Sequence, residues 1–182
     1  KSLRRCQQYK DAYQCFLQLL KLKPHWHATY GQIVSLGALY NVDEDIKKAG
    51  EEYIDTLLKD MLQDASAVPL RVSLAAINKL RSYQNVINKI SADDVKKLSA
   101  IIAMSAIEGI GQFYEAFVAF TSIFGYHYSS ICVELAENLP EMLAMPPEMI
   151  DRGQWVSACE ALSNTATAAS REKKLELFHL LS

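Results

Sequence analysis

Hydrophobic residues recur every three or four positions through most of the chain, with polar residues between them. Because an α-helix has about 3.6 residues per turn, this spacing places the hydrophobic residues on one helical face. Short runs containing Gly, Pro or polar residues separate the periodic segments. Strict alternation, the pattern of a half-buried strand, is nowhere sustained over a strand's length. The pattern therefore predicts an all-α fold with about eight to ten helices.

The breaks predict five helices in the first half of the chain. Pro24 ends the first helix, Asp43 is the predicted N-cap of the third, and Pro69 is placed in the first turn of the fourth. Gly31 and Gly37 weaken the second helix by roughly 1 kcal/mol each relative to alanine, yet they allow a neighbouring helix to approach closely. The predicted ranges are 3–22, 27–40, from the Asp43 cap to 63, 69–82 and 83–90.

Ser91 marks the clearest helix start, in the second half of the chain. Its side chain can accept a hydrogen bond from the backbone N–H three residues on, and two acidic residues follow in the positive first turn. Gly109 and Gly111 flank a break, and Pro146 and Pro147 stop a later helix. The predicted ranges are 91–107, 112–124, 126–138, 139–145, 151–164 and 170–181.

The composition indicates a folded protein without strong net charge. Half of the 182 residues are hydrophobic, 22% are charged, and the net charge is −2. The basic residues Lys1, Arg4 and Arg5 are interpreted as a solvated helix end, since nucleic-acid binding needs larger clusters. The most apolar stretch, 113–123, contains Glu115 and is too short to cross a bilayer. We expect no membrane insertion and no direct nucleic-acid contact.

The cysteines indicate a reducing compartment. Cys6, Cys15, Cys132 and Cys159 are scattered and form no CxxC pair. In a chain with a large core this is typical of buried thiols. We therefore expect a cytoplasmic or nuclear protein. The chain also begins within a helical pattern and without methionine, so we expect a segment of a longer protein.

No group of residues predicts a metal site. On a helix, His25 and His27 would point about 200° apart, and no third ligand is near in sequence. The Gly109-Ile110-Gly111 run has neither the strand nor the lysine of a phosphate loop. An acidic run lacks the glycine and spacing of a calcium loop and is interpreted as a solvated helix start. That run comprises Asp43, Glu44, Asp45, Glu51 and Glu52.

Nucleophilic catalysis is not predicted either. A thiol–imidazole pair would need Cys132 or Cys159 beside His127 or His179. Cys132 lies on the apolar side of its predicted helix, and no strained turn presents it. We therefore expect a protein that is not an enzyme and that uses neither a cofactor nor a metal.

The densest aromatic cluster lies on the helix predicted over 112–124. Core packing is the favoured interpretation of its phenylalanine stripe, and a peptide-binding groove between helices is the alternative. Tyr114 lies off this stripe and is therefore a candidate for contact with a partner, as is Trp26. The stripe consists of Phe113, Phe117, Phe120 and Phe124.

The start of the chain resembles a tetratricopeptide repeat, in which small and aromatic residues lock two antiparallel helices together. The glycine that the repeat would place after Tyr30 falls on Val34, and no second copy follows. The matching positions are Tyr9, Ala12, Phe16, Pro24 and Tyr30.

A second resemblance covers more of the chain. Segment 110–124, followed by His127 and Ser130, resembles a helix of importin/exportin-type (karyopherin-β) transport receptors, which are stacks of HEAT repeats. Segments 68–89 and 91–107 resemble one HEAT helix pair, with a repeat spacing of about 40 residues. The resemblance implies a superhelical receptor that wraps cargo and a Ran-type small GTPase.

These patterns combine into one leading hypothesis. Residues 1–182 are expected to form a single repeat domain, a right-handed α-solenoid of antiparallel helix pairs of HEAT, armadillo or tetratricopeptide type. Its function would be that of a protein-binding scaffold, as a segment of a nuclear transport receptor. One alternative is a tetratricopeptide-like or other helical adaptor subunit of a large complex. A second is a helical bundle that binds a ligand or catalyses a reaction, which predicts a buried pocket with converging polar groups.

Overall fold

The computed structural model describes residues 2–108 and 110–137, and these residues form helices and turns without any strand. The all-α class predicted from the sequence is confirmed for this part of the chain. The described residues contain eight α-helices joined by short links, and a 3-10 turn, Leu80–Ser82, follows the fourth. The α-helices are α1 Ser2–Leu22, α2 His27–Gly37, α3 Glu44–Gln63, α4 Leu70–Lys79, α5 Gln84–Ile87, α6 Ala92–Ile107, α7 Phe113–Phe124 and α8 Ser129–Glu137.

Most helix boundaries agree with the sequence pattern, and the differences occur at helix ends. α2 stops at Gly37 rather than Tyr40, because the chain turns after the Ala38 N–H bonds to the Val34 carbonyl. The helix predicted over 83–90 is a single turn, and α8 begins at Ser129 rather than Tyr126. The helices predicted over 139–145, 151–164 and 170–181 lie outside the described residues.

Two helix starts are capped as predicted. Asp43 accepts a hydrogen bond from the Asp45 N–H at 3.1 Å. Ser91 Oγ accepts from the Asp94 N–H at 3.2 Å, and the Asp94 carboxylate accepts in return from the Ser91 N–H at 3.1 Å. The second arrangement is a complete capping box, which satisfies two N–H groups that the helix itself leaves without partners. Pro69 lies one residue before α4 rather than inside its first turn.

The chain divides into two compact units, residues 1–89 and 90–182. Segments 68–89 and 91–107, which resemble a HEAT helix pair, belong to different units. The single repeat domain expected over residues 1–182 stays a prediction. No helix among the described residues is long and apolar enough to cross a membrane.

The core of the first unit lies between α2, α3 and α4. α2 packs against both α3 and α4, and α1 packs against α2. α1 packs against this core through Tyr9, Tyr13 and Phe16, which contact buried Leu36 and Ile46. Burial of each such aliphatic side chain contributes about 1.5–3 kcal/mol. The side chains that are at most 1% exposed in this core include Ile33, Val34, Ile54, Leu57, Met61, Leu74, Ile77 and Leu80.

α2 and α3 meet at two glycines, with a tyrosine hydroxyl beside them. A Cβ on Gly37 would lie 2.7 Å from the Tyr83 hydroxyl and 2.9 Å from the Ile46 carbonyl oxygen. A Cβ on Gly50 would overlap the same hydroxyl, which donates a hydrogen bond to the Val34 carbonyl at 2.5 Å. The close approach predicted for Gly37 is therefore confirmed. Gly31 differs, because a Cβ there would meet only an ordinary contact at 3.4 Å.

In the second unit α6, α7 and α8 pack against one another. The phenylalanine stripe of α7 is buried as predicted, and no member is more than 3% exposed. The Phe120 and Phe124 ring centroids are 5.1 Å apart, a normal distance for packed aromatic rings. Core packing is thus the confirmed interpretation of this stripe.

Candidate protein-interaction site

The two histidines that flank Trp26 have separate partners. His25 has a positive φ of 58°, and its Nδ1 lies 3.3 Å from the Tyr30 hydroxyl. His27 Nε2 lies 2.9 Å from the Asp60 carboxylate. Among the residues that the structure describes, no three His, Cys, Asp or Glu side chains are grouped as metal ligands. His25 therefore ties the turn before α2 to α2 itself, and His27 ties the start of α2 to α3.

The thiol of Cys132 is poorly suited to act as a nucleophile. Its side chain is fully buried, on the apolar side of α8, as the sequence predicted. Burial raises its pKa to about 12, so the thiol stays protonated at neutral pH. His127 is exposed, whereas Cys159 and His179 lie outside the described residues.

Tyr114 is not a surface residue, and its predicted exposure is wrong. The side chain is 1% exposed, and its ring centroid lies 3.9 Å from that of Phe113. α7 is apolar nearly all round, so the side beyond the phenylalanine stripe is buried as well. Contact with a partner through Tyr114 would require this packing to open.

Trp26 is the more accessible of the two predicted contact residues. It lies just before α2 and is 38% exposed. Lys23 Nζ lies 4.7 Å from the centroid of its ring, within the range of a cation–π contact. Leu22, at the end of α1, is 83% exposed. An apolar surface is therefore present where α1 turns into α2, and Trp26 stays a candidate.

An opening on the surface of the first unit was not predicted from the sequence. We call it the α2–α3 groove, and its volume is about 810 Å³. It lies between the end of α2, the first half of α3 and the residues around α5. Its lining residues are Gly37, Ala38, Leu39, Tyr40, Glu44, Asp45, Lys47, Lys48, Glu51, Glu52, Ser82, Tyr83 and Asn85.

The early end of α2 builds one wall of the α2–α3 groove. Because the helix stops at Gly37, Leu39 and Tyr40 leave the helical path and are 40% and 94% exposed. Tyr83 is 4% exposed, and its hydroxyl is fixed by the Val34 carbonyl. The groove thus combines an exposed aromatic side chain with a rigidly held, buried one.

Carboxylates outnumber ammonium groups along the α3 wall of the groove. This wall has four carboxylates and two ammonium groups, so its formal charge is −2. Lys47 Nζ bonds to the Glu44 carboxylate at 2.8 Å, on the exposed side of α3. Asn85 donates to the Glu51 carboxylate at 3.3 Å and links α3 to α5. The residues that line the groove therefore carry a net negative charge.

The pKa values of two nearby tyrosines are raised mainly by burial and further by these carboxylates. Burial raises the pKa of Tyr13, and the charges of Glu52 and Asp45 raise it further. Burial also raises the pKa of Tyr83, with a smaller contribution from Glu51. Both hydroxyls stay protonated at neutral pH, and that of Tyr83 donates a hydrogen bond to the Val34 carbonyl.

The acidic run was recognisable in the sequence, but its role in a groove was not. Its first member acts as expected, since Asp43 caps α3 and pairs with Lys10 at 2.8 Å. Glu51 and Glu52 instead border an opening whose other side, from Ser82 to Asn85, lies about 30 residues further along the chain. Local periodicity contains no information about such a pairing.

Known proteins offer no guide to this site. No protein-family model, curated protein or solved structure matches the chain. The function is therefore inferred from the geometry of the described residues and from the sequence pattern.

Proposed function

We propose that this chain is a non-enzymatic, α-helical protein-binding scaffold. The observation that carries the proposal is the open α2–α3 groove, with Tyr40 exposed at its edge and charged side chains along one wall. Exposed aromatic residues beside polar groups are typical of binding surfaces. Among the described residues, Cys132 is buried and His25 and His27 have separate partners, which supports binding rather than catalysis.

The order of helix packing supports an α-solenoid as the architecture. In the first unit α2 packs against α3 and α4, the next two helices in the chain; in the second, α6 packs against α7 and α8. A solenoid is built from contacts between near neighbours in sequence, whereas larger bundles bring distant helices together. The finer proposal is a right-handed superhelix of HEAT type.

The most specific form of the proposal is a segment of a nuclear transport receptor that moves between cytoplasm and nucleus. It rests on the resemblance of segment 110–124, which corresponds to the buried helix α7. The proposed partners are protein cargo and a Ran-type small GTPase, without direct contact to nucleic acid or insertion into a membrane.

The GTPase distinguishes a transport receptor from other scaffolds. We would titrate the purified chain with a Ran-type GTPase loaded either with GDP or with a non-hydrolysable GTP analogue, and measure both affinities by calorimetry. A transport receptor should prefer the GTP form by more than about tenfold, a difference of about 1.4 kcal/mol. Equal affinity for both forms, or no binding, would reject this specific proposal.

A tetratricopeptide-like adaptor is the second candidate. Ala12 and Phe16, two of the residues that carry this resemblance, pack with the cluster formed by Leu36, Val42 and Ile46. Locking of α1 onto α2 by small and aromatic residues is the arrangement that this repeat would use. Stable partners that bind independently of the GTPase's nucleotide would favour this candidate.

A further inference from the structure

The α2–α3 groove has features that restrict what can occupy it. It is open to solvent, and its volume of about 810 Å³ is large enough for several side chains of a peptide. All its lining residues belong to the first unit. We propose that the α2–α3 groove binds an arginine- or lysine-bearing segment of a partner protein. This inference rests on the proposed scaffold function and names its partner's chemistry.

Charge complementarity indicates that the bound segment is positively charged. Lys47 is engaged by Glu44 at 2.8 Å, so the remaining charges are those of Asp45, Glu51 and Glu52 against Lys48. A basic segment would gain attraction along this wall, whereas an acidic segment would meet like charges. Such complementarity increases the association rate and excludes partners of the wrong sign.

The apolar edge of the groove determines where the segment is held. Tyr40 is 94% exposed, and Leu39 beside it is 40% exposed. A guanidinium or ammonium group can lie over the Tyr40 ring in a cation–π contact, while an apolar neighbour in the segment covers Leu39. The buried Tyr83, fixed through its hydroxyl to Val34, keeps the floor of the groove rigid. Rigidity reduces the entropy lost on binding.

The test uses the purified full chain and fluorescein-labelled peptides, with fluorescence anisotropy as the readout. One peptide alternates arginine with leucine and glycine, and its matched copy has glutamate in place of arginine. We expect only the arginine peptide to bind. The double variant Glu51→Lys, Glu52→Lys should weaken binding by about tenfold or more, because it reverses the charge of the α3 wall. Tyr40→Ala should weaken it by about threefold or more.

Asp11→Lys is the matched control, since Asp11 is an exposed acid of α1 outside the groove. It should change affinity by less than about twofold. Tyr40 is almost fully exposed, so Tyr40→Ala keeps the fold and tests the groove even if the charge reversals destabilise α3. Groove variants that bind as wild type does, or equal binding of both peptides, would overturn the inference.

The GTPase titration on the same preparations separates the two proposals. Binding of the GTPase without binding of the arginine peptide would reject the groove inference and leave the scaffold proposal standing. If the arginine peptide binds in a manner that depends on Tyr40 and Glu51 but the GTPase does not bind, the groove inference is supported and the transport-receptor proposal is rejected.

Discussion

At the scale of single residues, the most constrained point of the first unit is the place where Gly37, Gly50 and Tyr83 meet. The Cα atoms of Gly37 and Gly50 lie close together. A Cβ built on either glycine would be 3.1 Å from the Cα of the other glycine. The Tyr83 hydroxyl occupies the remaining space and donates to Val34. Tyr83, 33 residues after Gly50, thus determines which side chains can replace the glycines where α2 and α3 cross.

Tyr83→Phe tests the hydroxyl alone. The Val34 carbonyl also accepts from the Ala38 N–H, so it keeps one partner when the hydroxyl is removed. We therefore expect a loss of about 1 kcal/mol in the free energy of unfolding, measured by urea denaturation. Tyr126→Phe is the control, because Tyr126 is 84% exposed, and it should leave the stability unchanged. Equal stability of the two variants would show that the Val34 bond contributes nothing.

Gly50→Ala tests whether the space between α2, α3 and Tyr83 can accommodate a methyl group. The substitution gains about 1 kcal/mol of helix propensity, but its Cβ overlaps the Tyr83 hydroxyl. We expect the overlap to dominate and the variant to lose about 1–3 kcal/mol. Gly31→Ala has only a 3.4 Å contact and should be neutral or stabilising. Combining Gly50→Ala with Tyr83→Phe should cost less than the sum of the two, and additive losses would contradict the proposed clash.

At the scale of elements, local signals predicted the helices well and their ends less well. Ser91 and Asp43 act as caps where the sequence placed them, because a cap depends on residues only two or three positions away. The end of α2 was missed because Leu39 and Tyr40 continue the apolar pattern although the backbone has left the helix. Hydrophobic spacing marks potential helix faces, whereas the turn that ends a helix depends on the packing around it.

Ser91→Ala tests the capping box of α6. The substitution removes the oxygen that accepts from the Asp94 N–H, and we expect a loss of about 1 kcal/mol. Ser130→Ala, at an exposed position in α8, is the control. Circular dichroism during urea unfolding gives both values. A loss no larger than that of Ser130→Ala would mean that the box does not stabilise α6.

Acid should weaken the same cap. The hydrogen bonds from Ser91 hold the pKa of Asp94 below its ordinary value, and those from Ser66 do the same for Asp64. Because the folded pKa lies below the unfolded one, this stabilisation is complete above the unfolded pKa of about 3.9 and is lost as pH falls through the folded pKa. The free energy of unfolding should therefore fall as pH falls below about 4. In Ser91→Ala the fall should be smaller, and an identical pH dependence would contradict the assignment.

At the scale of the whole molecule, each of the two units has its own buried core among the described residues. If the chain is the proposed solenoid, its stability is a sum of local units and the interfaces between neighbours, and destabilisation of one unit need not reach the other. Burial of Tyr114 is also decided at this scale, because α7 packs with both α6 and α8.

Hydrogen exchange tests the independence of the two units. Gly50→Ala should speed exchange of the amides protected by α2, α3 and α4, and leave those of α6 and α7 within about twofold of wild type. Ser91→Ala should speed exchange of the amides in α6 and α7 and leave those in α2, α3 and α4 unchanged. Mass spectrometry of peptic fragments gives both patterns, and a uniform increase along the chain would show that the units unfold together.

The sequence alone determined the all-α class, most helix positions, the caps at Asp43 and Ser91, and the buried stripe of α7. Each depends on residues within about four positions of one another, the distance over which one helical turn acts. Only the tertiary structure decided the α2–α3 groove, the Tyr83 contact with Gly37 and Gly50, and the burial of Tyr114. These require residues far apart in the chain to meet, and a helical pattern states which face is apolar but not which partner covers it.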